Sequence, residues 1–248
     1  MSAEEGKGGP GWTTMKIDPE IFEELGVRDP EELKREMAIS KRVRQVRKEL
    51  KDNLDSVELQ LELGRLFIDG GDMDEATKQL KQVINRDNKN GPAYKLLGTA
   101  YAMSNHEDEA IRELTRAAEL LPEDPEIHLN LGGVYMLEDM YESAARCFRK
   151  VVEIDPMDRL GYANLAAAYD MDKKYDEEIQ ALKKILMFTP EDIELRSALS
   201  TAYFNSENYD EALNHALCVI ELDEKDPQAY CNLGSCYSAQ NMVDEAVE

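Results

Sequence analysis

The chain has no stretch of about 18 consecutive apolar residues, so no helix of it is expected to cross a membrane. Its first residues, MSAEEGKGGPGWTT, lack the apolar core of a secretory signal. The four cysteines, Cys147, Cys218, Cys231 and Cys236, form no CxxC pair, and no histidine cluster accompanies them. Zinc is therefore not expected and nothing demands disulfides, so the cysteines read as free thiols of a reducing compartment and the protein as cytoplasmic. There is no Gly-rich phosphate loop and no DxDxDG calcium loop. His106, His128 and His215 have no Cys, Ser or carboxylate partner at a catalytic spacing. Catalysis, metals and cofactors thus find no support. Positive charge is also short. The 29 basic residues against 52 acidic ones leave a net charge of −23. Such a surface repels phosphate, which makes nucleic acid and anionic membranes poor partners.

What the chain does have is periodicity. LNLGGVYMLEDMYESAARCFRKVVEIDP, from Leu129 to Pro156, is apolar at helical spacing, and a similar sentence recurs 34 residues before and after it. Units counted from residues 57, 91, 125, 159, 193 and 227 align without a slip. Position 7 is always leucine, from Leu63 to Leu233. Position 8 is small: Gly64, Gly98, Gly132, Ala166, Ser200 and Gly234. Position 11 is Phe67 and then tyrosine in every later unit. Position 20 is Ala76, Ala110, Ala144, Glu178, Ala212 and Ala246, and position 24 is Leu80, Leu114, Phe148, Leu182 and Ala216. Each unit holds two helical patterns joined by a polar tetrad such as Ser104 to Glu107. Leucine at 7 and the aromatic at 11 share a helix face. Small residues at 8 and 20 let the two backbones approach. Pro122, Pro156 and Pro190 close units, and Asp124-Pro125 and Asp226-Pro227 have the form of a cap followed by a first turn. A lone helix pair cannot bury its apolar face, whereas a stack can.

These residues resemble the tetratricopeptide repeat family over residues 57–248, in five full units and most of a sixth. The resemblance implies an all-α fold, a right-handed superhelical solenoid of antiparallel helix pairs. An aromatic at position 4 is matched by Tyr94, Tyr162 and Tyr230 and not by Gln60, His128 or Arg196. Glu178 stands where the family has alanine and is expected to lean outward to water. The chain ends at Glu248, at position 22 of a unit and without a polar capping helix, so a fragment of a longer protein is expected.

In this family the first helices of successive units line a concave groove with positions 2, 5, 6, 9, 12 and 13. The resemblance therefore implies a peptide-binding groove containing Arg65, Lys95, Met103, Asn130, Met136, Asn164, Met171, Phe204, Asn205 and Asn232. Asn130, Asn164 and Asn232 form a partial ladder able to hold a peptide backbone. Met103, Met136, Met171 and Phe204 make an adaptable apolar middle. Lys95 and Arg65 are its cations. For each the plainer reading also stands: the amides help stack helices, the methionines pack on the next unit, and the cations are solvated. A carboxylate clamp of the co-chaperone type is matched by Lys95 and Asn130 but not by Thr99, Leu160 or Asn164, and is set aside.

The segment before the repeats is different. Residues 1–15 are expected to be a disordered tail, residues 16–28 a short helix, and residues 30–54 an amphipathic helix with Leu33, Met37, Val43, Val46, Leu50 and Leu54 on one side. Between Lys34 and Lys51 lie eight basic and two acidic residues. Residues 1–56 carry a net −2, leaving −21 to the remainder. This helix either caps the first repeat and hides Leu33, Val43, Val46 and Leu50, or meets an acidic partner or a second copy, or lies on a membrane surface.

The function expected is a non-catalytic scaffold that binds an extended or helical segment of a partner with apolar anchors flanked by basic residues. Two alternatives remain open at this level. One is the repeat region of a larger enzyme or signalling protein whose catalytic domain lies beyond Glu248. The other is a self-assembling scaffold that uses residues 16–54.

Overall fold

The computed structural model describes residues 29–240. The expectations for residues 1–28, and for the second helix of the last unit within residues 241–248, lie outside these. The described residues form twelve α-helices and no strand. α1 is Pro30–Asp52. The repeats follow as pairs: α2 Val57–Asp69 with α3 Met73–Arg86, α4 Gly91–Met103 with α5 Glu107–Leu120, α6 Pro125–Leu137 with α7 Tyr141–Ile154. Then come α8 Arg159–Met171 with α9 Tyr175–Leu186, α10 Ile193–Asn205 with α11 Tyr209–Leu222, and α12 Pro227–Ala239. Each helix packs on the next, as a stacked array requires.

The helix ends obey one rule per position. Every first helix is capped by the residue just before its unit: Ser56, Asn90, Asp124, Asp158, Asp192 and Asp226 each accept a backbone N–H of the first turn. The second helices α5, α7, α9 and α11 have no side-chain cap. They begin from a tight reversal instead. Gly71, Asn105, Asp139, Lys173 and Glu207, all at position 15, take positive φ of 53–77°. The next N–H then bonds back to the carbonyl of the position-11 aromatic, as His106 does to Tyr101 at 3.0 Å and Met140 to Tyr135 at 2.8 Å. This left-handed residue is what makes the four-residue turn possible.

Within a pair, position 8 meets position 24. A methyl group on Gly132 would lie 2.5 Å from Cε1 of Phe148, and one on Gly98 2.6 Å from Cγ of Leu114. Glycine is needed there for space, because the large position-24 side chain fills the place of the missing Cβ. Ser200, at the same position, fits by turning its hydroxyl to donate to the carbonyl of Ala212 at 2.9 Å. Leu80, Leu97, Leu114, Ile127 and Leu199 are fully buried, each contributing about 1.5–3 kcal/mol.

The residues that depart from the aromatic at position 4 have a shared job. The side chains of Gln60, His128 and Arg196 donate to the carbonyls of Leu54, Pro122 and Pro190, each six residues earlier, at 3.1, 2.8 and 2.6 Å. The hydroxyl of Tyr230 does the same to Glu224 at 3.2 Å. Chemically different side chains thus pin the same loop.

α1 lies against α2 through Val46, which is fully buried, and through the half-buried Val43 and Leu50. Arg42 Nε meets Glu62 at 2.6 Å, and the Arg47 guanidinium sits 5.3 Å from the centre of the Phe67 ring. Leu33 is a correction to the expectation: it is exposed, as is every residue from Glu31 to Ala38. The reason is length. α2 runs out where Ile39 meets Gly70, and the first two turns of α1 pass beyond it.

Glu178 is a second correction. It does not lean outward; it is 7% exposed, and its Oε2 has no partner among the described residues. Burial, with Asp170 adding to it, pushes its carboxyl up to about 7. Position 20 lies where the two helices cross, so the backbone aims any side chain there inward, and glutamate is too short to escape.

Candidate functional site

Positions 6, 9 and 13 of one helix fall within about 60° of arc, because each residue turns by about 100°. They rise along the helix by about 4.5 Å from 6 to 9 and about 6 Å from 9 to 13. Stacking first helices side by side therefore turns these positions into three parallel rows that cross the array.

The row at position 13 is the most exposed. Met103, Leu137 and Met171 are 58%, 67% and 50% accessible on three successive first helices, flanked at the same position by Asp69 before them and by Asn205 and Ala239 after them. Acidic side chains border it. Glu138 and Asp139 follow Leu137, Asp170 precedes Met171, and all three are exposed. Exposing a large apolar side chain once is ordinary; here three recur at one register of neighbouring repeats, a stripe in repeat position.

The row at position 9 begins with Arg65 and is small thereafter: Thr99, Gly133, Ala167, Thr201 and Ser235. Gly133 differs from its neighbour Gly132. A Cβ built on it would meet nothing within 4 Å. Packing does not require this glycine, although glycine inside a helix costs about 1 kcal/mol relative to alanine. It leaves open space beside α6.

The row at position 6 carries the amides, and its members differ. Asn130 Nδ2 donates to Thr99 Oγ1 at 3.1 Å, a bond from one repeat to the next. Asn232 Oδ1 accepts from Gln228 at 2.9 Å. Asn164 is half-buried and makes no hydrogen bond among the described residues, so both its donor and its acceptor remain available.

The other sequence-derived candidates are divided in the same way. Lys95 is largely buried and spends its charge inside the protein, on Asp124 at 2.9 Å and Glu126 at 2.7 Å. Arg65 is exposed and unpaired among the described residues, on a concavity of about 420 Å³ shared with Leu61, Glu62, Leu96 and Leu121. Met136 and Phe204 are half-buried against the central core, and Phe204 has its ring 5.5 Å from that of Tyr209. Asn205 is exposed. The sequence-derived set omitted Leu137, the most exposed member of the stripe. Its signal was its register, two turns beyond Asn130 on the same face.

The three histidines are held structurally. His106 Nδ1 bonds to the carbonyl of Ser104 at 2.8 Å, and His128 is the loop pin described above. His215 stacks on Tyr203 with ring centres 5.5 Å apart. Burial, then Arg196 and Lys183, hold its pKa below the ordinary value. All four cysteines are free, and burial raises the Cys147 thiol to about 11. Among the described residues no group of His, Cys, Asp or Glu is arranged to hold a metal ion, and no helix is long and apolar enough to cross a membrane.

Comparison with known proteins agrees with this architecture. Tetratricopeptide repeat models match residues 57–90, 101–169 and 227–248, together half of the chain. No curated protein matches it. Among solved structures, a MamA protein superposes with a TM-score of 0.60 at 23% identity, covering 68% of this chain and 92% of that one. YrrB, described as a TPR protein with an unusual peptide-binding site, gives 0.57 at 20% identity over 69% and 89%. A tetratricopeptide repeat protein from Parabacteroides merdae gives 0.56 at 17% identity over 92% and 86%. Period, helix pairing and family models converge: the chain belongs to the tetratricopeptide repeat family.

Proposed function

We propose that this protein is a non-catalytic scaffold whose concave face holds a segment of a partner protein by apolar anchors, with basic residues flanking them. One observation carries the reading: Met103, Leu137 and Met171 stand exposed at one register of three successive first helices, bordered by acidic side chains. Leaving that much apolar surface in water is unfavourable, and covering it with a ligand recovers about 25 cal/mol per Å². A net charge of −23 attracts a basic segment and speeds encounter more than it deepens affinity. Thioethers suit such a site because they repack around different side chains. The fold shared with a protein described as having a peptide-binding site is in keeping with this use.

The test is to select peptides from a random library against the full chain, then measure their affinity for a Met103→Ser, Leu137→Ser, Met171→Ser triple variant. The three side chains are exposed, so folding is expected to survive. The selected peptides are expected to be rich in Leu or aromatic residues with Lys or Arg beside them, and to lose about tenfold or more in affinity. Peptides that bind the variant unchanged would show that the stripe is not the site.

A further inference from the structure

α1 occupies the place of a second helix. Arg47 lies over the Phe67 ring at 5.3 Å, as Lys81 lies over Tyr101 at 5.3 Å and Lys183 over Tyr203 at 5.1 Å, each pair 20 residues apart. The solvent side of α1 therefore compares, position by position, with the solvent sides of α3, α5, α7, α9 and α11.

The two ends of this series differ from its middle. The middle helices mix charges, with Lys78 paired to Glu75 and Arg116 to Glu119 in the same helix. α11 contains no Lys or Arg. Its outer side holds Asp210, Glu211 and Glu221 beside two exposed leucines, Leu217 and Leu222. Gln240 donates to Asp210 and Asn214 to Glu211, but no cation among the described residues meets these acids. α1 is the reverse. Lys41, Arg44, Lys48 and Lys51 are exposed and meet no acid among the described residues, and Leu33 and Met37 stand exposed in the turns that project past α2. The two faces do not meet within one chain, because α1 packs on α2 whereas α11 packs on α10 and α12.

The faces agree in shape and in order. At about 100° per residue, Leu33, Met37, Lys41, Arg44 and Lys48 fall within about 80° of arc, on the side of α1 away from Val46 and Leu50. Asp210, Asn214, Leu217 and Glu221 fall within about 60°, with Glu211 and Leu222 beside them, on the side of α11 away from the buried Ala212, Ala216 and Val219. Arg44 lies about 13.5 Å along the axis from the midpoint of Leu33 and Met37. Glu211 and Asp210 lie about 13 and 14 Å from the midpoint of Leu217 and Leu222, in the opposite chain direction. Antiparallel pairing thus sets Leu33 and Met37 against the leucines and Arg44 against the two acids. Parallel pairing sets the apolar pair against the acids instead.

We infer that the partner of α1 is a second copy of this chain, with the basic outer face of α1 lying antiparallel along the acidic outer face of α11 in the neighbouring copy. Opposite charges steer the approach, and the apolar contacts at one end fix the register. The contact is heterologous, so association extends past a dimer unless it closes into a ring. It uses the outer sides of second helices and leaves the concave face open.

Sedimentation velocity of the full chain over a concentration series tests this. At about 50 mM salt the average mass is expected to rise with concentration, and at about 500 mM to fall back toward one chain, because the Debye length shrinks from about 14 Å to about 4 Å. Arg44→Glu with Lys48→Glu, and separately Asp210→Lys with Glu211→Lys, are each expected to weaken association by about tenfold or more. All these side chains are exposed, so the helices are expected to survive, which circular dichroism checks. Mixing the two variants restores opposite charges across the contact and is expected to restore association. Association that persists in either variant, or a mixture that stays monomeric, overturns the pairing. A parent chain that remains monomeric at low salt overturns it as well, and capture of an acidic peptide or an anionic vesicle through Arg44 and Lys48 then assigns the face to another partner.

Discussion

The side-chain amide of Asn130 donates to the hydroxyl of Thr99 at 3.1 Å and so ties α6 to α4, whereas Asn164 at the same register makes no such bond. Two residues that look identical in the repeat therefore have different work. Asn130→Ala is expected to lower stability by about 1 kcal/mol, the usual net worth of a hydrogen bond. Asn164→Ala is expected to leave stability nearly unchanged and to weaken peptide binding. Urea denaturation of both variants, followed by titration with a library-selected peptide, checks the pair.

Gly132 and Gly133 make a second contrast. Alanine at 132 would drive a methyl into Phe148 and is expected to cost about 1–3 kcal/mol. Alanine at 133 meets open space and is expected to stabilise by up to about 1 kcal/mol, the helix-propensity difference. Thermal unfolding with calorimetry distinguishes the two signs.

Glu178 couples stability to pH. The folded carboxyl holds its proton up to about pH 7, while the unfolded one releases it near 4.5. Stability is thus fully present below about pH 4.5 and declines as pH rises through 7. Glu178→Gln removes that penalty while keeping the volume. It should match the parent at pH 4.5 and exceed it at pH 8 by up to about 3 kcal/mol, at 1.36 kcal/mol per pKa unit. His215 acts in the opposite sense. Its depressed pKa costs stability as pH falls below 6.5. Urea melts of parent and Gln variant across this range separate the two groups.

Lys173 and Glu207 occupy left-handed positions, with φ of 58° and 63°. An ordinary L-residue pays roughly 1 kcal/mol there, and glycine does not. Lys173→Gly and Glu207→Gly are each expected to raise stability by up to about that amount, offset in part by the greater freedom of glycine in the unfolded chain. Melting temperatures of the two variants report this directly.

The architecture was legible because a 34-residue period is a global signal: one misplaced helix would have broken the register in every later unit. Leu63, Tyr101 and Gly132 each occupy the role their repeat position implied. Other features depend on where neighbours end. In the reading of α1 as a cap Leu33 lies under the first repeat, but α2 stops short of it. The pairing of Lys95 depended on acids 29 and 31 residues away, which no local spacing reveals. Met136 and Leu137 differ by one residue, and a turn of about 100° separates a half-buried side chain from an exposed one. Glu178 shows the limit of residue-type reasoning, since a charged residue is expected at a surface until the helix crossing is seen to enclose it.

The methionine methyls provide the most direct test of the groove. Met103 and Met171 lie on the stripe, whereas Met157 and Met187, which are still more exposed, lie off it. Methyl-labelled protein titrated with library-selected peptides should show NMR shifts at Met103 and Met171, with Met157 and Met187 silent. Shifts confined to Met157 or Met187, with the stripe unmoved, would contradict a concave site formed by the first helices.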